Sequence, residues 1–257
     1  MKNIKLIIEY DGTEYAGWQR QTNALSVQQV IEDALNTLTG SNIELTGSGR
    51  TDSGVHARGQ VANFHTDSTI PPERFSFALN TLLPKDIRIV HSMEVPDCFH
   101  ARYSAIGKRY RYSMITNPHG TAIGSRYYCH VPYPLDVEAM KRACSYIIGT
   151  HDFAAFQAAG SAARTTVRTI GMARIVSRPP FLYFDIEGSG FLYNMVRILA
   201  GTLLEIGKGK LAPDNMPEII KSRDRRRAGP TAPAQGLSLE EVYYEGSLGS
   251  LESGELK

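Results

Sequence analysis

Apolar and polar positions alternate from the first residues of the chain, where Ile4, Leu6, Ile8 and Tyr10 interleave with Asn3, Lys5, Ile7 and Glu9. A period of two is that of a strand with one buried face, and Asp11-Gly12 ends it. Residues 13–21 read as a polar and aromatic loop pinned by one buried indole, Trp18. The period then changes. Val27, Val30, Ile31, Ala34, Leu35 and Leu38 form a helical stripe behind Ser26 and Gln29, which have capping-box spacing, and Gly40 stops the helix. Residues 60–65 are strand-like, 71–83 carry a short helical pattern, and 86–95 return to strand beyond Pro84. A further strand, short or lost, falls near Glu44-Leu45.

From about Ser104 the plan repeats more clearly. Residues 108–116 read as a strand, 136–148 as a helix capped by Asp136 and closed by Gly149, and 167–176 with 182–188 as strands joined through Pro179-Pro180. A helix over 191–206 has its apolar residues at 191, 195, 198, 199, 203 and 206, and 239–244 supply a last strand. The order βαββαβ is the ferredoxin-like pattern. The expected fold is therefore α+β, with two ferredoxin-like βαββαβ-type halves, a mainly antiparallel sheet, helices packed on one face and a cleft between the halves. The expected boundaries are 1–103 and 104–246, followed by a short acidic Gly/Ser-rich tail, 247–257, expected to be disordered. No residue-level repeat links the halves, so duplication rests on the order of elements.

Composition narrows the class without choosing it. With 42% hydrophobic and 21% charged residues the chain is an ordinary globular one. Its net charge of +2 means that any contact with nucleic acid must come from clustering of its 28 Lys and Arg. Cys98, Cys129 and Cys144 are odd in number and lack CxxC spacing, which points to reduced thiols in a cytoplasm. The N-terminal apolar run is too short for a signal peptide, and no run approaches the ~18 residues of a membrane span, so no membrane partner is expected.

Residues 46–64, TGSGRTDSGVHARGQVANF, break both periodicities. Gly47, Gly49 and Gly54 allow tight backbone paths, Arg50, Asp52, His56 and Arg58 supply charge, and Asp52 is the only acid between Glu44 and Asp67. A carboxylate among cations is held ionised, which suits a nucleophile or general base; a glycine-rich turn with Asp52 as a cap fits the same spacing. Tyr110 and Tyr112, two apart on a strand, share one face, with Arg109 and Arg111 on the other. Arg197 falls opposite the apolar stripe of its helix and can face a cleft or solvent. The run Lys221, Arg223, Arg225, Arg226, Arg227 reads as a solvated loop or a phosphate contact.

GRTDSGVHA at 49–57 closely resembles the active-site motif of the TruA family of tRNA pseudouridine synthases, with Ser53 where alanine is usual. YDGTEYAGWQRQ at 10–21, KRYRY at 108–112, GSGFLYNMVR at 188–197 and AGPTAPAQGL at 228–237 resemble the family in the same order. The resemblance implies an isomerase that converts uridine to pseudouridine in the tRNA anticodon stem-loop, at uridines 38 to 40, as a homodimer without cofactor or metal. It implies Asp52 as the essential carboxylate, Arg197 as its partner, Tyr110 stacked on the uracil, Arg50 assisting base extrusion and Leu237 closing the pocket. In an RNA-modifying enzyme Arg58, Lys108, Arg109, Arg111, Arg225, Arg226 and Arg227 become candidate RNA contacts.

Two other readings fit parts of the sequence. One is a non-catalytic RNA-binding protein on the same scaffold; an anion at 52 facing phosphates argues against it. The other is a hydrolase using Asp52 with His56 or His65. GSGRTDSG is neither GxGxxG nor a Walker A motif, GKGK at 207–210 lacks the Walker spacing, and the seven histidines show no HExxH, so neither a nucleotide cofactor nor a metal is implied.

Overall fold

A computed structural model of the chain describes residues 1–160 and 163–245, and the tail expected at 247–257 lies outside the described residues. The N-terminal half runs β1 (Lys2–Tyr10), α1 (Val27–Thr39), β2 (Thr46–Gly47), β3 (His56–Thr66), α2 (Phe75–Leu82) and β4 (Ile87–Val95). The second runs β5 (Ala105–Ile115), β6 (Cys129–His130), α3 (Val137–Ser145), β7 (Gly149–Asp152), β8 (Val167–Arg178), β9 (Phe181–Gly188), α4 (Met195–Gly207), α5 (Asn215–Ser222) and β10 (Leu237–Tyr244).

The strands join one sheet in the order β4, β1, β3, β10, β5, β9, β8, β7, with β2 added on β3 and β6 on β5. Pairing is antiparallel except for β10 on β3 and β6 on β5. The chain is thus α+β with a large, mostly antiparallel sheet. The halves meet inside the sheet, where Ser238 and Leu239 of β10 lie opposite His56 and Ala57 of β3.

Local chemistry explains most of these elements. Ser26 accepts from the Gln29 N–H, and Gly40 adopts a left-handed φ of 68° that closes α1. Asp136 accepts from Ala139 N at the start of α3. The even positions Ile4, Leu6, Ile8 and Tyr10 of β1 are buried as the alternation requires, and each fully buried side chain of this size contributes about 1.5–3 kcal/mol. Glu32 of α1 is buried yet satisfied: it accepts from Gln28 Nε2, Arg20 Nη1 and the Leu45 N–H, which ties α1 to the stretch leading into β2. Residues 96–104 cross the sheet on its other face, where Asn3 Nδ2 donates to Phe99 O and Tyr244 OH donates to Ala101 O.

Three expectations are corrected. The strand sought near Glu44-Leu45 is displaced to Thr46–Gly47, and β3 begins at His56 and not near 60, so half of the presumed loop belongs to the sheet. The helix expected from 191 begins at Met195, because 191–194 turn and Asn194 takes a left-handed φ of 60°. The 215–222 segment, to which the sequence pattern assigns no element, is the helix α5. No helix of the described residues is long and apolar enough to cross a membrane.

Candidate active site

Asp52 lies in the turn between β2 and β3, and the turn is fastened at both shoulders. The Ser48 N–H donates to Val61 O at 2.7 Å, Ser48 Oγ donates to Gln60 Oε1 at 2.7 Å, and Gln60 Nε2 donates to Gly49 O at 3.0 Å. From the second half Lys108 Nζ donates to Ser48 O at 2.8 Å. Thr51 is held through its side chain by Tyr10 OH at 2.7 Å and through its carbonyl by the Trp18 N–H at 3.1 Å. The 13–21 segment can press this closely because Gly17 has φ +92° and no side chain; a Cβ there would sit 2.5 Å from Thr51 O. Trp18, 2% exposed, packs its ring on Tyr10, as the buried-indole reading expects.

Arg197 approaches from the first turn of α4. Its Nε donates to Ala232 O at 2.8 Å, and its Nη1 donates to Asn194 Oδ1 at 2.8 Å and to Asp52 Oδ2 at 3.3 Å. The Ala232 N–H returns a bond to Arg197 O at 3.1 Å, so the 228–233 loop and the helix hold each other. That loop is anchored further back, where the Gly229 N–H donates to Thr202 Oγ1 at 2.9 Å. The pair therefore joins residues 145 apart in sequence. The side chains of Arg197 and Asp52 are 17% and 23% exposed. Burial pushes the Asp52 carboxyl above the ordinary carboxylate range, and Arg197 offsets only part of that rise. Arg197 thus favours the ionised carboxylate, as the cation-rich sequence suggests, while burial acts the other way and is the larger of the two.

Tyr110, on β5 between Leu239 of β10 and Ile186 of β9, is 8% exposed and meets Phe191 edge to face, with ring centroids 5.1 Å apart. Burial first, then Tyr10 and Asp52, hold its phenol well above the ordinary tyrosine range, so the hydroxyl is protonated at neutral pH. Leu237 opens β10 opposite Tyr112 and is buried; Tyr112 OH donates to Pro233 O at 2.9 Å. Arg50 is exposed, its Nε donating to Gln19 Oε1 at 3.2 Å.

The candidate RNA contacts divide. Arg58 is open, its side chain 71% exposed. Lys108 faces the Asp52 turn, and burial, then Arg102, lower its pKa to about 8. Arg109 pairs with Glu241 and Glu187, and Arg111 makes a two-pronged contact with buried Asp185 at 2.6 and 2.9 Å. Arg225 braces the carbonyls of Ala228 and Gly229, while Arg226 pairs with Asp224 and Arg227 with Glu218. His56 has both nitrogens engaged: Nδ1 accepts from the Gly12 N–H at 3.0 Å, which leaves the proton on Nε2 to donate to Arg126 O at 3.0 Å. Asp11 Oδ1 lies 3.2 Å from the same Nδ1. His65 pairs with Asp97. Among the described residues the side-chain partner of Asp52 is Arg197 and neither histidine, so the pairing a hydrolase would need is not formed. A cavity of about 360 Å³ between α3, β7 and α5, lined by His151, Asp152 and Arg223 among others, contains none of these residues. Among the described residues no group of three or more His, Cys, Asp or Glu could hold a metal.

The family described as tRNA pseudouridine synthase matches residues 6–104 and 143–245. The chain belongs to that family. A relative from Acetivibrio thermocellus is 56% identical over 244 residues, one from Ruminiclostridium cellulolyticum 54% over 245, and one from Clostridium kluyveri 50% over 244. Each alignment covers 95% of this chain and 100% of the relative, and all three relatives are named tRNA pseudouridine synthase A. Asp52, Arg197 and Leu237 fall inside the segments that match the family, whereas Tyr110 lies between them, in a region the relatives' alignments span.

Asn194, Ala232 and Lys108 are the parts of this arrangement that reading by sequence misses or misassigns. The Ala232 carbonyl carries no side-chain signal. Asn directly before a helix is a common capping residue, but placing the helix start at 191 hides Asn194 in its interior.

Proposed function

We propose that Asp52 is the essential carboxylate of this chain's reaction, the isomerisation of uridine to pseudouridine in tRNA. The observation that carries the proposal is the Asp52–Arg197 pair, brought together from two turns 145 residues apart beside Tyr110. Pseudouridine formation breaks the C1′–N1 bond and forms C1′–C5; N1 gains a proton, C5 loses one, and composition is unchanged. A carboxylate serves this as nucleophile at C1′ or C6, or as base toward a ribose proton. Tyr110 stacks on the uracil; its phenol is protonated, so it can help remove the C5 proton only as a relay that accepts this proton while giving up its own. Leu237 closes the pocket, and Arg50, which pairs with no acid among the described residues, enters the space the extruded base leaves.

The finer reading follows the family: uridines 38 to 40 of the anticodon stem-loop, a cytoplasmic homodimer, and neither metal nor nucleotide cofactor. We divide the chain at 103/104 into two ferredoxin-like halves with a cleft between them. The strand orders β4, β1, β3, β2 and β10, β5, β9, β8, with two helices in the first half and three in the second, support that division. Arg58, Arg226 and Arg227 are the better candidates for phosphate contacts, because Arg109, Arg111 and Arg225 are committed elsewhere.

The test is to incubate purified protein with unmodified tRNA and map pseudouridine chemically, beside Asp52→Asn. Product at 38 to 40 for the parent, none for the variant, and similar tRNA affinity for both is expected. An active Asp52→Asn protein removes Asp52 from its role, and a parent that binds tRNA without product supports the non-catalytic reading.

A further inference from the structure

We infer that Asn194 is a positioning residue for Asp52, acting by holding the Arg197 guanidinium back from a close pair with the carboxylate. The inference rests on Asp52 being the reactive group. Arg197 can only donate hydrogen bonds, so the atom of Asn194 that meets it is the amide oxygen. Nη1 lies 2.8 Å from that oxygen and 3.3 Å from Asp52 Oδ2, and Nε is tied to Ala232 O at 2.8 Å. Two neutral acceptors thus hold the guanidinium at good hydrogen-bond length while the charged one receives the longest contact. Left to charge alone the order would be reversed, since guanidinium–carboxylate bonds are the shorter and stronger kind.

The backbone supports a positional role. Asn194 is one of only two non-glycine residues with positive φ among the described residues, at φ 60° and ψ 7°. It is the residue before α4, yet its side chain does not cap the helix. Residues held in this region cluster where a side chain must be aimed, and Asn tolerates the conformation better than most. The amide that would ordinarily serve the helix is turned onto Arg197 instead.

The consequence is chemical. A carboxylate in a close two-pronged pair with arginine is a weak nucleophile and a weak base, because its lone pairs are engaged and its pKa is depressed. Held at one longer contact, Asp52 is oriented by Arg197 and still available. The titratable and charged groups facing Asp52 are Arg197 from α4 and Tyr110 from β5. Tyr10 of β1 reaches the same turn through Thr51, and Lys108 of β5 reaches it through Ser48 O. Asn194 carries no charge, so its effect on Asp52 passes through Arg197.

The test compares Asn194→Gly, Asn194→Ala and Asn194→Asp. Gly removes the amide and favours the left-handed backbone, Ala removes the amide and strains it, and Asp keeps the shape and adds a competing anion. The readout is the titration of the Asp52 carboxyl carbon by NMR, assigned against Asp52→Asn, with the acid limb of kcat/KM for tRNA as a second measure. With Gly and Ala, Arg197 is free to close on Asp52, and the midpoint is expected to fall by about half a unit or more. With Asp the midpoint is expected to rise. Gly and Ala should agree in this shift while differing in melting temperature, which separates the side chain from the backbone. Equal midpoints in all folded variants, or movement of Gly and Asp in the same direction, would overturn the inference. Because the carboxyl titration does not depend on turnover, that result is distinct from a parent protein that makes no pseudouridine.

Discussion

Asp52 is kept in surroundings that a carboxylate does not favour, and two measurements follow from its raised pKa. A group whose folded pKa exceeds its unfolded one binds its proton more tightly in the folded state. Its charge therefore opposes folding above the folded pKa, and the penalty disappears as pH falls below the unfolded value. Asp52→Asn is accordingly expected to melt higher than the parent at pH 7, with the difference shrinking as pH drops through the carboxylate range; a variant less stable at pH 7 would contradict it. Arg197→Met removes the one interaction that lowers the Asp52 pKa, so the acid limb of the pH–rate profile should move upward in a folded variant. Loss of activity with an unmoved limb would reassign Arg197 to structure. The residue types of this site were legible in GRTDSGVHA and GSGFLYNMVR through family resemblance. The direction of the Asp52 shift was not, because composition counts nearby cations and cannot count the water that burial removes.

Among the elements, α1 and α3 were readable because each has a side-chain cap and an apolar stripe; Gly40 closes α1 as expected, whereas α3 ends at Ser145, short of Gly149, which opens β7. β2 and β7 were not, being two and four residues long and too short for a period to declare itself. The pairs of Arg111 with Asp185 and Arg109 with Glu241 were also hidden, since sheet register alone brings them opposite one another. The element that serves the site most directly is the 228–233 loop, and its hold on α4 can be measured. Thr202 is fully buried; its Oγ1 accepts from Gly229 N and donates to Ile198 O. Thr202→Val keeps the volume and leaves the Gly229 N–H without a partner. A loss of about 1–3 kcal/mol in urea unfolding is expected, together with lower kcat, because Ala232 O would no longer aim Arg197. An unchanged unfolding midpoint would mean that the loop is held from elsewhere.

For the whole molecule a net charge of +2 leaves little long-range attraction for a polyanion, so local exchange of ion pairs must supply the contacts. Arg226 and Arg227 are paired only with exposed or half-exposed acids, and such pairs are worth about 0–1 kcal/mol, little enough for phosphates to displace. Arg226→Ala with Arg227→Ala is therefore expected to weaken binding to all tRNAs alike and to flatten the salt dependence by roughly one to two charges. An unchanged slope would leave both as solvated surface. The sheet itself has an order of completion. β10 is the last strand among the described residues, yet it lies between β3 and β5 and is the strand that joins the two halves. During synthesis, then, the Asp52 turn leaves the ribosome long before Arg197, Ala232 and the joining strand exist. A nascent chain therefore carries the carboxylate of Asp52 before Arg197, its ion-pair partner in the folded sheet, has been made.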